Sequence, residues 1–172
     1  MGLDRVEQLI VRRARLPEAQ LDRFLMKLVV GMPERDAEVA VLRRHAQGFS
    51  PRELTGVEAV IGADEIRAAQ RAAARVDVTD DVLGYVVDLA RATRQSPSVE
   101  LGASPRASTG LLAAAKAWAW LNASTAVTPD HVQTMLVPVW RHRLQLRPDA
   151  KMEGVSADAV LTSVVQQTRV PI

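Results

Sequence analysis

Helix starts are the strongest constraint written in this chain. Three of these starts set a hydroxyl residue directly before a proline: Ser50-Pro51, Ser104-Pro105 and Thr128-Pro129. The hydroxyl accepts a hydrogen bond from an otherwise orphaned backbone N–H. The proline sits where no N–H is needed and presets a helical φ. Ser50-Pro51-Arg52-Glu53 adds the acid of a capping box. Thr79-Asp80-Asp81 sets a cap before two acids at the positive end of a helix dipole. Pro17-Glu18 combines proline and acid, and Ser156 with Asp158 opens a last short helix.

The stretches between these starts repeat apolar residues at helical spacing. Val39, Leu42 and Ala46 line one face of a helix over about 34–47, with Gly48 as its stop. Ala63 to Arg75 reads as a helix of alanine and arginine. Val82, Val86, Leu89 and Thr93 form the next stripe, and Leu111, Ala115 and Trp118 the one after. Trp120 lies roughly 200° from Trp118 on a 3.6-residue helix, so this helix is expected to be covered on both sides. Pro138 falls inside the helix that starts at Pro129 and predicts a kink or break there.

Composition agrees with helices and removes several kinds of chemistry. Alanine is abundant, aromatics are 3%, and 172 residues are enough to bury a core. With Cys 0, disulfide scaffolds, thiol catalysis and cysteine metal sites are excluded. Lys+Arg 22 against Asp+Glu 20 leaves a net charge of +2, too balanced for a basic nucleic-acid surface. A lone tyrosine and no interleaving of basic and aromatic residues point the same way, so no nucleic-acid partner is expected. No membrane span is expected, because Glu58 and Lys116 interrupt the short apolar runs. Asp4, Glu7, Arg12, Arg13 and Arg15 rule out a secretory pattern at the N-terminus, which predicts a cytoplasmic protein.

One stretch breaks the helical pattern. Phe24 to Gly31 reads as a short strand that ends at Gly31-Met32-Pro33, the natural domain boundary. A lone strand leaves its backbone unpaired, so this one belongs with a sheet that the chain does not contain. The expected fold class is therefore mainly α. A helical bundle over Pro33 to Gln167 follows a helix over Pro17 to Phe24 and an orphan strand over about Leu25 to Val30. Residues 1–15 are expected to pack poorly, or to be helical without support.

Three local signals then meet in one order. They are Leu16-Pro17-Glu18-Ala19-Gln20-Leu21-Asp22-Arg23-Phe24, then Gly102-Ala103-Ser104-Pro105-Arg106-Ala107-Ser108, then Val127-Thr128-Pro129-Asp130-His131 followed by Arg141-His142-Arg143-Leu144. With Ala92-Thr93-Arg94-Gln95-Ser96-Pro97 and Glu153-Gly154-Val155, this series resembles the C-terminal part of MoxR-type AAA+ ATPases from about Leu16 onward. The resemblance implies two domains: residues 1–32 as a remnant of an AAA+ core and 33–172 as the helical lid.

It also implies roles. Leu21-Asp22-Arg23-Phe24 carries the family's arginine finger, which maps onto Arg23 and neutralises charge on a neighbour's transferred phosphoryl group. The second signal carries the sensor-2 arginine, which maps onto Arg106. Ser104 as cap and Arg106 in the first turn make a place for an anion, although a cation there opposes the dipole. The residues alone also allow duller roles: Arg23 paired with Asp22, Glu18 or water, and Arg106 paired with Glu100. The implied cofactors of the intact family are ATP and Mg²⁺. The implied partners are ring neighbours in a homo- or hetero-oligomer and von Willebrand factor A-type proteins. The implied activity is ATP hydrolysis coupled to chaperone-like remodelling or metal-cofactor insertion.

The departures limit that activity. No Gly-x-x-x-x-Gly-Lys-Ser/Thr occurs, and none of the three lysines follows a glycine. Ala59 to Glu65 imitates a Walker B strand, but Ala63-Asp64-Glu65 reads as a helix start. Asp4-Arg5-Val6-Glu7-Gln8 faintly echoes the family's sensor-1 segment with an acid that would repel a γ-phosphate. A truncated or split gene, or a separately expressed lid, is the expectation, and it is expected to be inactive as an ATPase alone. The alternative is a non-enzymatic helical module that regulates the ring of a full-length homologue. His45, His131 and His142 share no ligand spacing, so no metal site is expected, and His131 reads as a capping or surface residue. Arg141-His142-Arg143, with Arg147 and Lys151, reads first as a solvated helix face and second as a phosphate-binding edge.

Overall fold

The structure, a computed structural model, describes residues 22–50 and 58–171. The first part of the Pro17–Phe24 helix, the Ser50–Glu53 capping box beyond Ser50, and the expectations for residues 1–15 lie outside the described residues. The described residues fall into two compact units, 22–27 with 70–171, and 28–69.

The larger unit is mainly helical, as expected. Helix α1 (Arg35–Ala46) belongs to the smaller unit, and α2 (Ala63–Ala74) leads from one unit into the other. Then come α3 (Asp80–Gln95), β1 (Val99–Leu101), α4 (Pro105–Leu121), α5 (Pro129–Trp140), β2 (Gln145–Leu146), α6 (Pro148–Met152) and α7 (Ala157–Gln167). The starts are where the sequence puts them. Thr79 Oγ1 accepts from the Val82 N–H at 3.4 Å, Ser104 Oγ from Ala107 at 3.1 Å, and Ser156 Oγ from Ala159 at 3.1 Å. Thr128 and His131 form a reciprocal capping box, in which the Thr128 N–H donates to His131 Nδ1 at 3.0 Å. His131 therefore caps, as read from its position.

The core of this unit is the set of faces those starts create. Val82, Val86, Leu89 and Thr93 of α3 are all buried, and Leu111 and Ala115 of α4 are fully enclosed. Trp140, at the end of α5, is fully buried, and its Nε1–H donates to the Ala107 carbonyl at 3.0 Å. That bond ties the end of α5 to the first turn of α4.

Four expectations need correction. Trp118 and Trp120 are each 38% exposed, so α4 is covered on one side, by Ala107, Leu111, Ala114, Ala115 and Ala119. Small alanines let α4 approach its neighbours closely on that side, and the tryptophans lie at its margins. Pro138 does not break α5, which continues to Trp140. It lacks the N–H that would donate to the Thr134 carbonyl, but only two helical residues follow it, so the helix loses little beyond that bond. Residues 22–25 form a turn and bend rather than a helix end, and 26–34 have no regular structure, so no strand forms over 25–30. An unpartnered segment has no ladder to hold it extended. It is linked to regular structure by Met26, which packs on the core, and by the Lys27 N–H, which donates at 2.8 Å to the carbonyl of Pro138, an orphan acceptor at the end of α5. Finally, a small antiparallel ladder pairs Val99 with Leu146 and Leu101 with Gln145. The sequence gives little sign of it, because both strands are too short for a readable alternation.

The smaller unit contrasts with this. Helix α1 buries no residue, and Val39 and Leu42 of its apolar stripe are exposed. Gly48 (φ +87°) stops the helix in the left-handed conformation, as expected. Ala63 opens α2 with Asp64 and Glu65 in its first turn. Glu65 accepts from the Gly62 N–H at 2.6 Å, so the Asp-Glu pair is a helix start and not a strand end.

Candidate functional site

The first turn of α4 is the best-built polar feature of the larger unit. Ser104 is the N-cap, Pro105 occupies the first helical position, and Arg106 follows it on an exposed surface. The early N–H groups of such a helix carry partial positive charge and attract anions. Arg106 makes no ion pair among the described residues, so its expected duller partner, Glu100, does not hold it.

The loop before this helix is fastened from behind. Thr93 Oγ1, fully buried, accepts from the Ala103 N–H at 2.9 Å and donates to the Ala90 carbonyl at 2.7 Å. Arg94 Nε donates to the Ala103 carbonyl at 2.8 Å. Ala103 thus has both backbone groups satisfied by the end of α3. Gly102 is required beside it: a Cβ there would stand 2.7 Å from the Arg94 nitrogen and 2.8 Å from its Cα. Backbone cannot yield to such a contact, so only glycine admits the close approach. The Thr93-Arg94 pair and the Gly102-Ala103-Ser104 loop are one device that fixes where α4 begins.

A cleft of 990 Å³ opens beside this start. Lys27, Arg94, Ser104, His142 and Arg143 line it, with Asp22 and Glu100 as its acids. Arg143 corrects the sequence reading most sharply, for it is no solvated face: its side chain is 4% exposed. Its Nη2 donates to the Phe24 carbonyl at 2.7 Å, and Nε lies 3.7 Å from Asp22 Oδ1, near enough for attraction but too long for a hydrogen bond. Nε and Nη1 are buried without a hydrogen-bond partner. Burial lowers the Arg143 pKa from its usual value, the Asp22 carboxylate opposes that shift, and the charge of Arg106 adds to it. Two guanidinium groups close enough to feel each other, beside a helix N-terminus, form a field that an anion relieves.

His142 faces the same segment. Its Nε2 lies 3.0 Å from the Phe24 carbonyl, which can only accept, so Nε2 carries the hydrogen. Burial pushes the imidazole pKa below its ordinary 6.5, partly offset by that hydrogen bond, and the charges of Arg143 and Lys27 lower it further. Arg141 is drawn away, with Nη2 2.5 Å from Asp158 Oδ2. The expected basic cluster is therefore divided among three tasks.

Arg23 is exposed on the turn that Arg143 and His142 grip. Asp22 does not pair with it, since that carboxylate turns toward Arg143. Glu18, the other candidate partner, lies outside the described residues. Of the three predicted site residues, Ser104 and Arg106 sit together on α4, and Arg23 stands on a separate turn. Sequence reasoning missed Thr93, Arg94 and Arg143 as site residues. Arg-His-Arg was legible as a motif, but nothing in it reveals which cation is buried. Among the described residues, no group of three or more acidic or histidine side chains can hold a metal ion. A capped helix start and a guanidinium beside it are the kind of chemistry that suits a phosphate group.

Residues 91–164 match the AAA lid domain family, which places the fastened loop, α4, α5 and the Arg-His-Arg turn inside that domain. The chain is 38% identical over 157 residues to the uncharacterized protein YeaC of Bacillus subtilis, covering 91% of this chain and 48% of that protein. It is 34% identical over 165 residues to the chaperone MoxR1 of Mycobacterium tuberculosis, covering 91% of this chain and 42% of the relative. With the protein MoxR of Paracoccus denitrificans the identity is 35% over 154 residues, covering 77% of this chain and 44% of the relative. The fold is that of a Cytophaga hutchinsonii protein described as a candidate ATPase, with a TM-score of 0.79 and 24% identity over 92% of this chain and 50% of that one. The chain is similar to MoxR-type proteins over most of its length, and its residues 91–164 match the AAA lid domain. It spans about half the length of the curated relatives it matches. No helix among the described residues is long and apolar enough to cross a membrane.

Proposed function

We propose that this chain supplies the lid side of an ATP site and the finger side of the next one in a MoxR-type ring. The observation that carries the reading is the start of α4, where Ser104 and Pro105 line an open cleft behind a fastened loop and the exposed Arg106 follows them. Arg106 acts as the sensor-2 residue on the phosphates, Ser104 fixes the helix end that faces them, and Arg23 reaches into a neighbour's pocket. The supporting likeness is to the chaperone MoxR1 and to the protein MoxR. The partners of the reading are therefore ring neighbours, with von Willebrand factor A-type proteins as further candidates and the cytoplasm as the place of action.

These 172 residues contain no phosphate-cradling Gly-x-x-x-x-Gly-Lys-Ser/Thr, and those described hold no group of three or more acidic or histidine side chains able to bind a metal ion. Phosphoryl transfer depends on that positioning and charge neutralisation. The chain alone is therefore expected to hydrolyse no ATP, and its role is exerted in an assembly. The exposed turn at Arg23 favours a second reading, in which the chain docks on a full-length homologue and alters its ring. Purified chain with Mg·ATP tests the first point: no turnover is expected, and turnover abolished by R106A contradicts it. Mixing the chain with an ATPase-active MoxR protein tests the assembly role. A changed rate that R23A and R106A each diminish supports it, and an unchanged rate and oligomer size contradict it.

A further inference from the structure

The turn after α5 holds a buried arginine that neither the sensor nor the finger role uses. Arg143 is the most enclosed cation among the described residues, and an arginine is costly to bury without a full set of acceptors. Its bonds go to one place. Nη2 donates to the carbonyls of Phe24 at 2.7 Å and Leu25 at 3.5 Å, and Nε approaches Asp22 at 3.7 Å. His142 Nε2–H donates to the same Phe24 carbonyl at 3.0 Å, and Pro138 accepts from the Lys27 N–H at 2.8 Å. Residues on both sides of Arg23 are thus held by the end of α5 and its turn. No β-ladder holds that segment, so these bonds and the packing of Met26 on the core are what fasten it. The other side of Arg143 rests on α4: a Cβ added at Gly110 would stand 3.1 Å from Nη1. Trp140, three residues earlier, bonds the Ala107 carbonyl next to Arg106.

We propose that Arg143 is the positioning residue for Arg23: with His142 it clamps the Asp22–Leu25 turn onto the lid and so fixes the finger relative to the helix that carries Arg106. The proposal rests on the reading of Arg23 as a finger for its purpose, but the clamp itself is a property of this chain. One nitrogen, Nη2, reaches both carbonyls while Nε of the same planar group faces Asp22, a span that a single ammonium cannot match. Gly110 keeps open the space the guanidinium needs.

Hydrogen exchange on the 172-residue chain tests the clamp, with R143M, R143K and G110A compared with wild type. R143M keeps the stem and removes the donors. Amide protection over 24–28 is expected to fall at least tenfold, while amides in the middle of α3 and α4 change less than twofold. R143K is expected to restore part of the loss. G110A separates clamping from general packing, because alanine favours the helix while crowding the guanidinium. Protection in α4 is expected to hold or rise as protection over 24–28 falls. Unchanged protection over 24–28 in R143M, or equal losses there and in the core, overturns the proposal. So does a G110A that shifts both regions in the same direction. In the mixed ATPase assay, R143M is expected to remove the Arg23-dependent part of the rate change. If R23A removes it and R143M does not, the clamp is wrong and the finger stands. If wild-type chain has no effect but the exchange pattern appears, the finger reading fails and the clamp stands.

Discussion

Helices α1 and α3 are written with the same signals and meet different fates. Each has acids in its first turn, basic residues in its last turn, and an apolar stripe at helical spacing. Helix α3 buries six residues, whereas α1 buries none. Part of the difference is local, since Thr79 caps α3 while the Glu34 side chain makes no cap bond to α1, and part lies outside both helices. Helix α3 has α4, α7 and β1 against it, while the smaller unit offers α1 no covering element among the described residues. Start signals and periodicity decide that a helix forms and which face is apolar. They do not decide whether anything covers that face.

Substitutions can break or sharpen this contrast. Trp140→Ala removes the largest enclosed side chain of the larger unit and its bond to Ala107. It is expected to cost about 3–5 kcal/mol in urea unfolding, whereas Leu42→Ala on the exposed stripe of α1 is expected to stay within about 0.5 kcal/mol. Equal effects would show that α1 is packed in solution. Gly102→Ala forces a Cβ against the Arg94 backbone and is expected to cost about 1–3 kcal/mol. Its exchange signature should spread from Ala103 to the first turn of α4, and leave α1 unaltered. Ser104→Ala removes one cap and is expected to cost about 1 kcal/mol, while weakening any anion response at α4 by more than its effect on stability suggests.

The smallest effect is a pH dependence confined to the larger unit. The His142 pKa is lowered in the folded chain, chiefly by burial, so the unfolded chain binds that proton first as pH falls. The stability due to neutral His142 is therefore complete above the ordinary value of 6.5 and declines as pH drops from there through the lowered folded value. H142Q should flatten that part of a stability–pH curve. An unchanged curve would remove His142 from the account.

Much of the fold was legible because helix starts are local. Thr79, Ser104, Thr128 and Ser156 cap as their positions promise, since a cap needs only its own next three residues. What was not legible depended on distant partners. The strand expected over Leu25–Val30 needed a neighbour to pair with, and Trp118 and Trp120 needed a second layer to cover them. The β1–β2 ladder joins segments over forty residues apart, each only two or three residues long. At the site, Ser104 and Arg106 could be placed from sequence because they open a helix. Arg143 could not, because its burial is set by Phe24, Asp22 and Gly110, none of them near it in the chain. Gly102 was visible as part of a motif, yet its reason is the backbone of Arg94 across the loop.

The central claim is that the start of α4 receives the phosphates of a nucleotide. Titrating the ¹⁵N-labelled chain with ATP, and with adenosine as a control, measures this through the backbone amides of Arg106, Ala107 and Ser108. The account predicts saturable shifts at those amides with ATP, little response to adenosine, and at least a fivefold weaker response to ATP in R106A. Shifts that are absent, that ignore the phosphates, or that persist unchanged in R106A would contradict it.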